Sequence, residues 1–188
     1  MPVPANQALF FVALLPDERI QQEVTEFKQI AAEQFSSRHA LKSPPHITII
    51  PPFKLSNEEA TTLPETMSVA ASRLAPFPVQ LQGFDHFGRS AARNRVIFVD
   101  VVIDEALRRC QRVTAEVFYQ QLNVQPDDRP FHAHMTVAFK DLQRQVFRDA
   151  WAYFSQLPYE REFTVNALTL LKHNGQRWEV IFNAELGG

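Results

Sequence analysis

The amino-acid sequence predicts an α+β fold built from two duplicated lobes. Strand-like and helix-like patterns alternate along the chain, and segments of the first half recur in the second half about 87 residues later. The chain has 188 residues, 45% of them hydrophobic, which suffices for one continuous core. We therefore expect a single domain over residues 1–188, with lobes at about 8–88 and 95–175, interleaved strands and a final strand at 178–186.

The repeat rests on four matched segments. Residues 11–18 match 98–105, 46–49 match 134–137, 77–79 match 163–165, and 96–98 match 180–182. One match between apolar strands would mean little, because such strands resemble one another. The same order at a nearly constant spacing indicates duplication.

Each predicted lobe begins with a strand and an amphipathic helix. Residues 8–15 form an apolar run that is too short to span a bilayer and is typical of a buried strand. Apolar residues then recur every three or four positions after Asp17, and again after Asp104, as on one face of a helix. Both aspartates are candidate N-caps.

A second helix is predicted after each histidine segment. In the first lobe Ser56 and Glu59 form a capping-box pattern, although Pro64 could instead mark the first turn. In the second lobe Asp141 precedes the helical pattern and is the expected N-terminal signal.

The remaining segments are rich in Val, Phe and Thr and are predicted to be strands. They cover about 77–84, 95–102, 163–171 and 178–186. The pair Asn174-Gly175 indicates a hairpin between the last two, and residues 85–94 connect the first two.

Composition limits the classes of function. A formal net charge of -2 disfavours long nucleic acids, which require many phosphate contacts, so a nucleic-acid ligand should be short. The single cysteine, Cys110, lies on an apolar helical stripe and is expected to be a core thiol. It cannot form an internal disulfide or a zinc cluster, which favours a reducing compartment, and we expect a cytoplasmic protein without membrane attachment.

The chemistry is concentrated in two His-x-Thr segments. Residues two apart in a strand point to the same face, so His46 and Thr48 should project together, as should His134 and Thr136. One such segment could arise by chance. Two copies at equivalent positions of a duplicated chain indicate a functional pair.

Two opposed histidines suit the cleavage of a phosphodiester. The attacking and departing oxygens lie on opposite sides of phosphorus, so the reaction uses a base on one side and an acid on the other. Near neutral pH one imidazole can be neutral and the other protonated, and the threonine hydroxyls can donate to non-bridging oxygens. This scheme needs no metal or cofactor. The alternative is that these polar positions are merely solvated, or that each histidine is a satisfied core residue.

The paired motifs resemble the 2H phosphoesterase superfamily, which includes LigT-like RNA 2′,3′-cyclic phosphodiesterases, also called 2′-5′ RNA ligases. The resemblance covers nearly the whole chain. It implies antiparallel sheets lining a central groove, helices packed outside, and metal-independent opening of a 2′,3′-cyclic phosphate or cleavage of a 2′-5′ linkage. It also favours His134 as base and His46 as acid, an order that the pseudo-symmetric motifs leave open.

One feature departs from many LigT-like relatives, which have Arg five residues beyond the second histidine. This chain has Phe139 there, followed by Lys140, so the phosphate-contacting cation is left open. The candidate supporting residues near the motifs are His132 and a set of basic side chains: Lys42, Lys54, Arg129, Lys140, Arg89, Arg93 and Arg95. Candidate base-stacking residues are Phe53, Phe87, Phe131 and Tyr159.

The other histidines are interpreted by position. His132 lies two residues before His134 and could share its face, whereas the counterpart in the first lobe is Pro44. His86 and His173 are matched positions in hairpins and suggest a structural turn. His39 has no matched partner and is expected to be solvated.

The sequence thus predicts a monomeric enzyme that opens a 2′,3′-cyclic phosphate on a nucleotide or short RNA, without an obligate protein partner. A 2′-5′ oligonucleotide ligase or phosphodiesterase, or a hydrolase of a non-RNA cyclic phosphate, is a second interpretation. A nucleotide or RNA-end binding module without turnover is the non-enzymatic one.

Overall fold

A computed structural model describes residues 6–88 and 95–187. In these residues the α-helices are α1 (Glu18–Phe35), α2 (Leu63–Ala71), α3 (Glu105–Leu122) and α4 (Arg144–Phe154). The strands are β1 (Gln7–Leu14), β2 (Ile47–Ser56), β3 (Phe77–Phe87), β4 (Val96–Val101), β5 (His134–Ala138), β6 (Glu160–Val165), β7 (Ala167–His173) and β8 (Trp178–Glu185).

The strands form two antiparallel sheets of the same design. The first has the order β2-β1-β7-β8 and the second the order β5-β4-β3-β6. The strands that carry the two His-x-Thr segments therefore occupy the same edge position in each sheet. The structure confirms the predicted α+β class with a pseudo-two-fold arrangement of antiparallel sheets.

The predicted strand at 163–171 is wrong, because the chain there changes sheets. Residues up to Val165 belong to β6, which pairs with β3 in the second sheet, whereas β7 begins at Ala167 and pairs with β1 in the first sheet. The break falls at Asn166, whose carbonyl accepts a hydrogen bond from the backbone of Leu186 at 2.8 Å. The apolar pattern is continuous across the break because β6 buries one face and β7 is buried on both faces.

Two of the matched segments occupy different places in the sheets. Segments 77–79 and 163–165 pair with each other, in adjacent strands of one sheet. Segment 96–98 lies in the interior strand β4, whereas 180–182 lies in the edge strand β8, where Val180 and Ile181 are exposed. The similarity of these segments reflects the composition of strands. The matches of 11–18 with 98–105 and of 46–49 with 134–137 do lie in equivalent elements of the two lobes. Duplication remains a prediction that rests on these two matches.

The two long helices match each other closely. Each has 18 residues, and the carboxylates of Asp17 and Asp104 accept hydrogen bonds from Ile20 N and Leu107 N at 3.0 and 2.8 Å. Both N-cap predictions are confirmed. Helix α1 approaches β5 and α3 approaches β2, so each long helix packs near the histidine strand of the other lobe.

The starts of the shorter helices differ from the prediction. Ser56 and Glu59 do form reciprocal hydrogen bonds, but they cap a 3-10 turn at Glu59–Thr62, and α2 begins at Leu63 with Pro64 in its first turn. Asp141 does not cap α4, which begins at Arg144. Its carboxylate instead binds backbone N–H groups of residues 38 and 39, more than a hundred residues earlier.

The two faces of each sheet have different roles. One face packs under the helices and forms the main core, which includes Val12, Val99 and the buried Cys110. On the other face of the first sheet, Phe11, Ala13 and Leu171 form a separate small cluster. This second face is the groove face, and it carries the His-x-Thr side chains. Burial raises the pKa of the Cys110 thiol to about 12, as expected of a core residue.

Candidate active site

The two His-x-Thr segments alternate in burial as a half-buried strand should. His46, Thr48, His134 and Thr136 are half-buried, whereas the residues between and after them are buried. His46 immediately precedes β2, and His134 is the first residue of β5. Each histidine therefore projects from the start of an edge strand, beside its threonine.

Strand pairing shows which residues share the groove face. Directly paired residues of antiparallel strands point to the same side. Thr48 is paired with Ala13, His134 with Asp100, and Thr136 with Phe98. The edge strands β2 and β5 approach each other, and the charge of His134 lowers the pKa of His46. The two imidazoles are therefore close enough for their charges to interact.

Matched backbone carbonyls orient the two rings. His46 Nδ1 lies 2.7 Å from the carbonyl oxygen of Pro44, and His134 Nδ1 lies 2.7 Å from that of His132. A carbonyl oxygen can only accept, so each Nδ1 carries a proton and donates it. In each ring Nε2 is then the atom that can take up or release a proton during a reaction.

An aromatic pair supports each histidine from the groove face. Phe11 lies 4.8 Å from the His46 ring and 4.6 Å from Trp178. In the second lobe Phe98 lies 5.0 Å from the His134 ring and 4.5 Å from Phe87. Phe11 and Phe98 belong to matched segments of the sequence. The repeat could therefore have identified them as parts of the site.

Burial is the main cause of the pKa values of both histidines. It lowers the pKa of His46 to about 4, aided by the positive charges of Lys28 and His134 and opposed by the Pro44 carbonyl. Burial also lowers the pKa of His134. The His132 carbonyl and the Asp100 carboxylate act in the opposite direction, and the charge of His132 adds to the lowering. At neutral pH His46 is therefore uncharged.

Two charged residues next to the histidines did not emerge from the sequence. Lys28 is only 2% exposed, and its ammonium donates to the Ser43 carbonyl at 2.9 Å, just before Pro44. Asp100 is half-buried on β4, directly across from His134. A signal existed for Lys28, because it lies four residues after Val24 on the buried stripe of α1. For Asp100 the only signal in the sequence was its position two residues after Phe98, on the same face of the strand.

The predicted supporting residues are not all brought to the histidines. His132 is exposed, with its ring 6.2 Å from that of His134, and its carbonyl orients that ring. Lys54 and Arg129 line a separate cavity of about 600 Å³ between β2 and the segment before β5. Arg129 there forms an ion pair with Asp127 at 2.6 Å. Lys140 is exposed and lies over the Phe139 ring, 5.7 Å from its centroid.

The remaining candidates also differ in whether they lie near the histidines. Arg89 and Arg93 lie outside the described residues, and Arg95 is half-buried just before β4. Among the base-stacking candidates, Phe87 lies near the histidines, with its ring 5.1 Å from that of His134. Phe53 packs on Phe10 and Phe118, Phe131 packs against the core, and Tyr159 is buried with its hydroxyl bound to Glu23.

His86 and His173 lie in different environments. The His86 ring packs against Phe147 and Trp151 of α4, on the helix side of its sheet. The His173 Nδ1 accepts from the backbone of Gly175 at 3.1 Å, in the predicted Asn174-Gly175 turn. The turn role is supported for His173 and is wrong for His86.

Asp141 joins the segments that flank the two motifs. Its carboxylate accepts hydrogen bonds from Ser37 Oγ and from the backbone N–H groups of Arg38 and His39, at 2.8 to 2.9 Å. The His39 ring lies 5.0 Å from that of Phe139 and is half-buried, so the expectation that it is solvated is wrong. The chain entering the first motif is thereby tied to the chain leaving the second.

The described residues contain neither a metal-binding cluster nor a membrane-spanning helix. No cluster of three or more His, Cys, Asp or Glu side chains there could hold a metal ion. No helix within residues 6–88 and 95–187 has the length and apolar character needed to cross a membrane.

Curated proteins that are similar to this chain are named as phosphoesterases. One from Staphylococcus epidermidis is named "Putative phosphoesterase" and is 24% identical over 179 residues, covering 94% of this chain and 98% of the relative. Another with that name, from Geobacillus kaustophilus, is 24% identical and covers 94% of this chain and 95% of the relative.

Solved structures with the same fold include two well-matched proteins. The TT0787 protein of Thermus thermophilus has a TM-score of 0.66 and 18% identity, covering 96% of this chain and 98% of that one. E. coli LigT complexed with 3′-AMP has a TM-score of 0.65 and 15% identity, covering 97% and 99%. The model of the 2′-5′ RNA ligase superfamily matches residues 16–177. Because this match spans most of the chain, the protein belongs to the 2′-5′ RNA ligase superfamily, a group of 2H phosphoesterases.

Proposed function

We propose that this protein is a metal-independent phosphodiesterase that opens the 2′,3′-cyclic phosphate of a nucleotide or short RNA. The observation that carries the proposal is the pair of histidines with Nδ1 bound to a backbone carbonyl and Nε2 left for proton transfer. Phosphoesterase chemistry is the activity for which its curated relatives are named. The substrate and the reaction are the proposed parts.

The reaction requires one base and one acid on opposite sides of phosphorus. A water oxygen attacks phosphorus while one Nε2 takes a proton from that water. The bond from phosphorus to the 2′ or 3′ oxygen breaks, and the other Nε2 donates its proton to the departing oxygen. The product is a ribose phosphomonoester with one free hydroxyl, and exchange of protons with water returns both rings to their starting states.

The threonines complete the phosphate site. Thr48 and Thr136 share the groove face with the histidines, and each hydroxyl can donate a hydrogen bond to a non-bridging oxygen. Such donors stabilise the charge that builds in the transition state, where removal of one donor typically costs about 10²- to 10³-fold in rate.

Aromatic side chains beside the histidines suit a nucleoside. Phe87 and Trp178 are each half-buried, and they pack on Phe98 and Phe11, the aromatic neighbours of the two histidines. Any of the nucleobases can stack on such a ring, because every base has a flat aromatic face. The complex of LigT with 3′-AMP supports a small nucleotide as the ligand here.

The test is hydrolysis of 2′,3′-cyclic nucleotides and of a short RNA with a cyclic-phosphate end, in EDTA. We expect turnover by the wild type and near-complete loss in His46→Gln and in His134→Gln, since either change removes one proton-transfer group. His86→Gln is the matched control, because the His86 ring packs against α4 on the helix side of its sheet, away from the groove face. Full activity in either motif variant, or no turnover by the wild type, contradicts the proposal. Phosphate binding without turnover would identify the binding module.

A second candidate reaction is 2′-5′ ligation, favoured by the description of the matching superfamily. A 5′-hydroxyl would then replace water as the nucleophile, the 3′ oxygen would depart, and a 2′-5′ linkage would form. The same two histidines would serve. Supplying an RNA with a 5′-hydroxyl end and analysing the products separates ligation from hydrolysis.

A further inference from the structure

The chain entering β2 and the chain leaving β5 meet at one end of the groove. Asp141 follows β5 closely, and its carboxylate accepts from the backbone N–H groups of Arg38 and His39 at 2.8 and 2.9 Å. The short 3-10 helix His39–Lys42 approaches β5 and leads into His46. These two segments therefore form a rim of the groove on the side where β2 begins.

Two lysines lie on this rim, one in each segment. Lys42 follows His39 by three residues in the 3-10 helix, so their side chains lie on the same side of it. The His39 ring lies 5.0 Å from that of Phe139, and the Lys140 ammonium lies 5.7 Å from the centre of the same ring. Burial lowers the pKa of His39, and the charges of Lys140 and Lys42 lower it further. We call Lys42, Lys140 and the His39 beside them the basic rim.

The acids near the basic rim already have partners. The Asp141 carboxylate accepts three hydrogen bonds from the segment before β2. Glu179 lines a cavity of about 370 Å³ together with Lys42, but it accepts a hydrogen bond from Asn174 at 2.6 Å and pairs with Arg177 at 3.6 Å. Both rim lysines are exposed, and neither forms a salt bridge within residues 6–88 and 95–187. Two unpaired positive charges thus share one place in a chain whose net charge is -2.

Lys140 has a backbone conformation that lysine rarely adopts. Its φ angle is +57°, and the backbone N–H of Asp141 donates to the Phe139 carbonyl at 2.6 Å, which closes a tight turn with Lys140 at its centre. Glycine or asparagine takes this conformation at a lower cost. Residues in costly conformations are concentrated at ligand sites. A lysine at this position therefore indicates a use for its ammonium group.

Aromatic rings connect the basic rim to the first histidine. Trp178 lines the same cavity as Lys42, and its ring lies 5.0 Å from that of His173. The Trp178 ring also lies 4.6 Å from that of Phe11, which lies 4.8 Å from the ring of His46. The basic rim is thus two ring contacts away from a proton-transfer group of the site.

We propose that Lys42 and Lys140 form a second phosphate subsite, which binds the 5′-phosphate of the nucleotide whose 2′,3′-cyclic phosphate reacts. An RNA with a cyclic-phosphate end continues only through the 5′ oxygen of its last nucleoside, so a second phosphate comes from that side. Its source is either the linkage to a preceding nucleotide or a free 5′-phosphate monoester. Each ammonium donates hydrogen bonds to the non-bridging oxygens of that group. The inference rests on the proposed phosphodiesterase function and narrows the substrate class to cyclic ends that carry a second phosphate.

The first test compares kcat/KM for three substrates in EDTA. They are adenosine 2′,3′-cyclic phosphate, its 5′-phosphorylated form, and the dinucleotide adenylyl-adenosine with a 2′,3′-cyclic phosphate end. We expect the wild type to prefer one or both of the phosphate-bearing substrates by about tenfold, and the preference to shrink between about 50 and 200 mM salt. The preferred substrate identifies the source of the second phosphate. A preference below about twofold for both overturns the inference.

The second test removes the two lysines. Asparagine tolerates the backbone conformation of Lys140, so Lys140→Asn should keep or raise the urea midpoint while removing the charge. The double variant Lys42→Gln/Lys140→Asn should reduce the preference to less than about twofold. A merely structural role for Lys140 would change the urea midpoint and not the preference. A double variant that keeps the wild-type preference overturns the inference.

Two matched pairs of substitutions serve as controls. Arg108→Gln/Arg112→Gln removes the same number of charges from exposed positions of α3, and the preference should persist. Lys54→Gln/Arg129→Gln removes the cations of the separate cavity of about 600 Å³. If either control abolishes the preference and the rim variant keeps it, the 5′-phosphate is not bound by Lys42 and Lys140.

Failure of the second subsite can be told apart from failure of the proposed function. A wild type that hydrolyses all three substrates with equal efficiency overturns the subsite and leaves the phosphodiesterase function intact. A wild type that hydrolyses none overturns that function, and calorimetric titration with adenosine 3′-phosphate and adenosine 3′,5′-bisphosphate then tests the subsite by itself. Equal affinities overturn the subsite, whereas tighter binding of the bisphosphate that is lost in Lys42→Gln/Lys140→Asn supports it.

Discussion

Replacing Lys28 with Met should stabilise the protein, although it removes a hydrogen bond. Burial lowers the pKa of Lys28 from its ordinary value of 10.5 to about 7. Each pKa unit corresponds to about 1.4 kcal/mol, so this burial costs about 5 kcal/mol of folding free energy at and below pH 7. The lost hydrogen bond from the charged ammonium to the Ser43 carbonyl offsets about 1.5–3 kcal/mol. The net gain for Lys28→Met is therefore about 3 kcal/mol near neutral pH.

The sign of the pH dependence follows from proton linkage. Because the folded pKa lies below the unfolded one, the unfolded chain binds more protons between pH 7 and 10.5, and wild-type stability rises with pH through that window. The advantage of Lys28→Met should therefore shrink from pH 7 and vanish near pH 10.5. Methionine can fill the space of the lysine stem without a charge.

The assay is urea unfolding of wild type and Lys28→Met at several pH values between 6 and 10, with thermal melts alongside. A gain of about 3 kcal/mol raises the Tm by roughly 6–12 °C in a domain of this size. A variant that is less stable than wild type at neutral pH would refute the reasoning. A difference in unfolding free energy that does not change with pH would refute it too. Lys42→Met, at an exposed position, should change little.

Three further predictions concern other buried or shared groups. Asp141→Ala should lower the free energy of unfolding by about 2–4 kcal/mol and also lower kcat, because three hydrogen bonds join the two motif-flanking segments through its carboxylate; unchanged urea midpoint and kcat would show that this link is dispensable. The pKa of His46 is lowered to about 4, so the unfolded chain binds more protons between pH 4 and 6.5 and stability falls as the pH drops through that window. Between pH 6.5 and 4.5 the unfolding free energy of His46→Gln should therefore fall by about 2 kcal/mol less than that of the wild type, as measured by urea unfolding. Identical losses would contradict this. Cys110, with its pKa raised to about 12, should resist alkylation in the folded protein and react only in denaturant; fast labelling under native conditions would place the thiol outside the core.

The sequence predicted local features of the site well because they follow from strand geometry. The alternation of His46, Thr48, His134 and Thr136 on one face depends only on the two-residue period of a strand. The two long helices and their caps likewise depend on neighbouring residues. These features required no knowledge of how the sheets are assembled.

The failures involve long-range partners. The strand predicted at 163–171 is divided between two sheets, and an apolar pattern cannot show which sheet a strand joins. Asp141 was expected to cap the helix after it but binds the backbone of residues 38 and 39. Lys28 and Asp100 gain their importance from contacts with other elements, so a single sequence offers only a charged residue on an apolar stripe and an aspartate in a strand.

The assembly of the first sheet has a consequence for synthesis of the chain on the ribosome. Strand β1, which carries Phe11 beside His46, obtains its second neighbour only when β7 has been made, and Trp178 comes later still. The first histidine motif therefore emerges early but lacks part of its support until about 130 residues have followed it. Until then β1 presents an unpaired edge that other chains could bind. A translation arrest or proteolytic cut between β6 and β7 should thus leave an incomplete first lobe beside a largely finished second one.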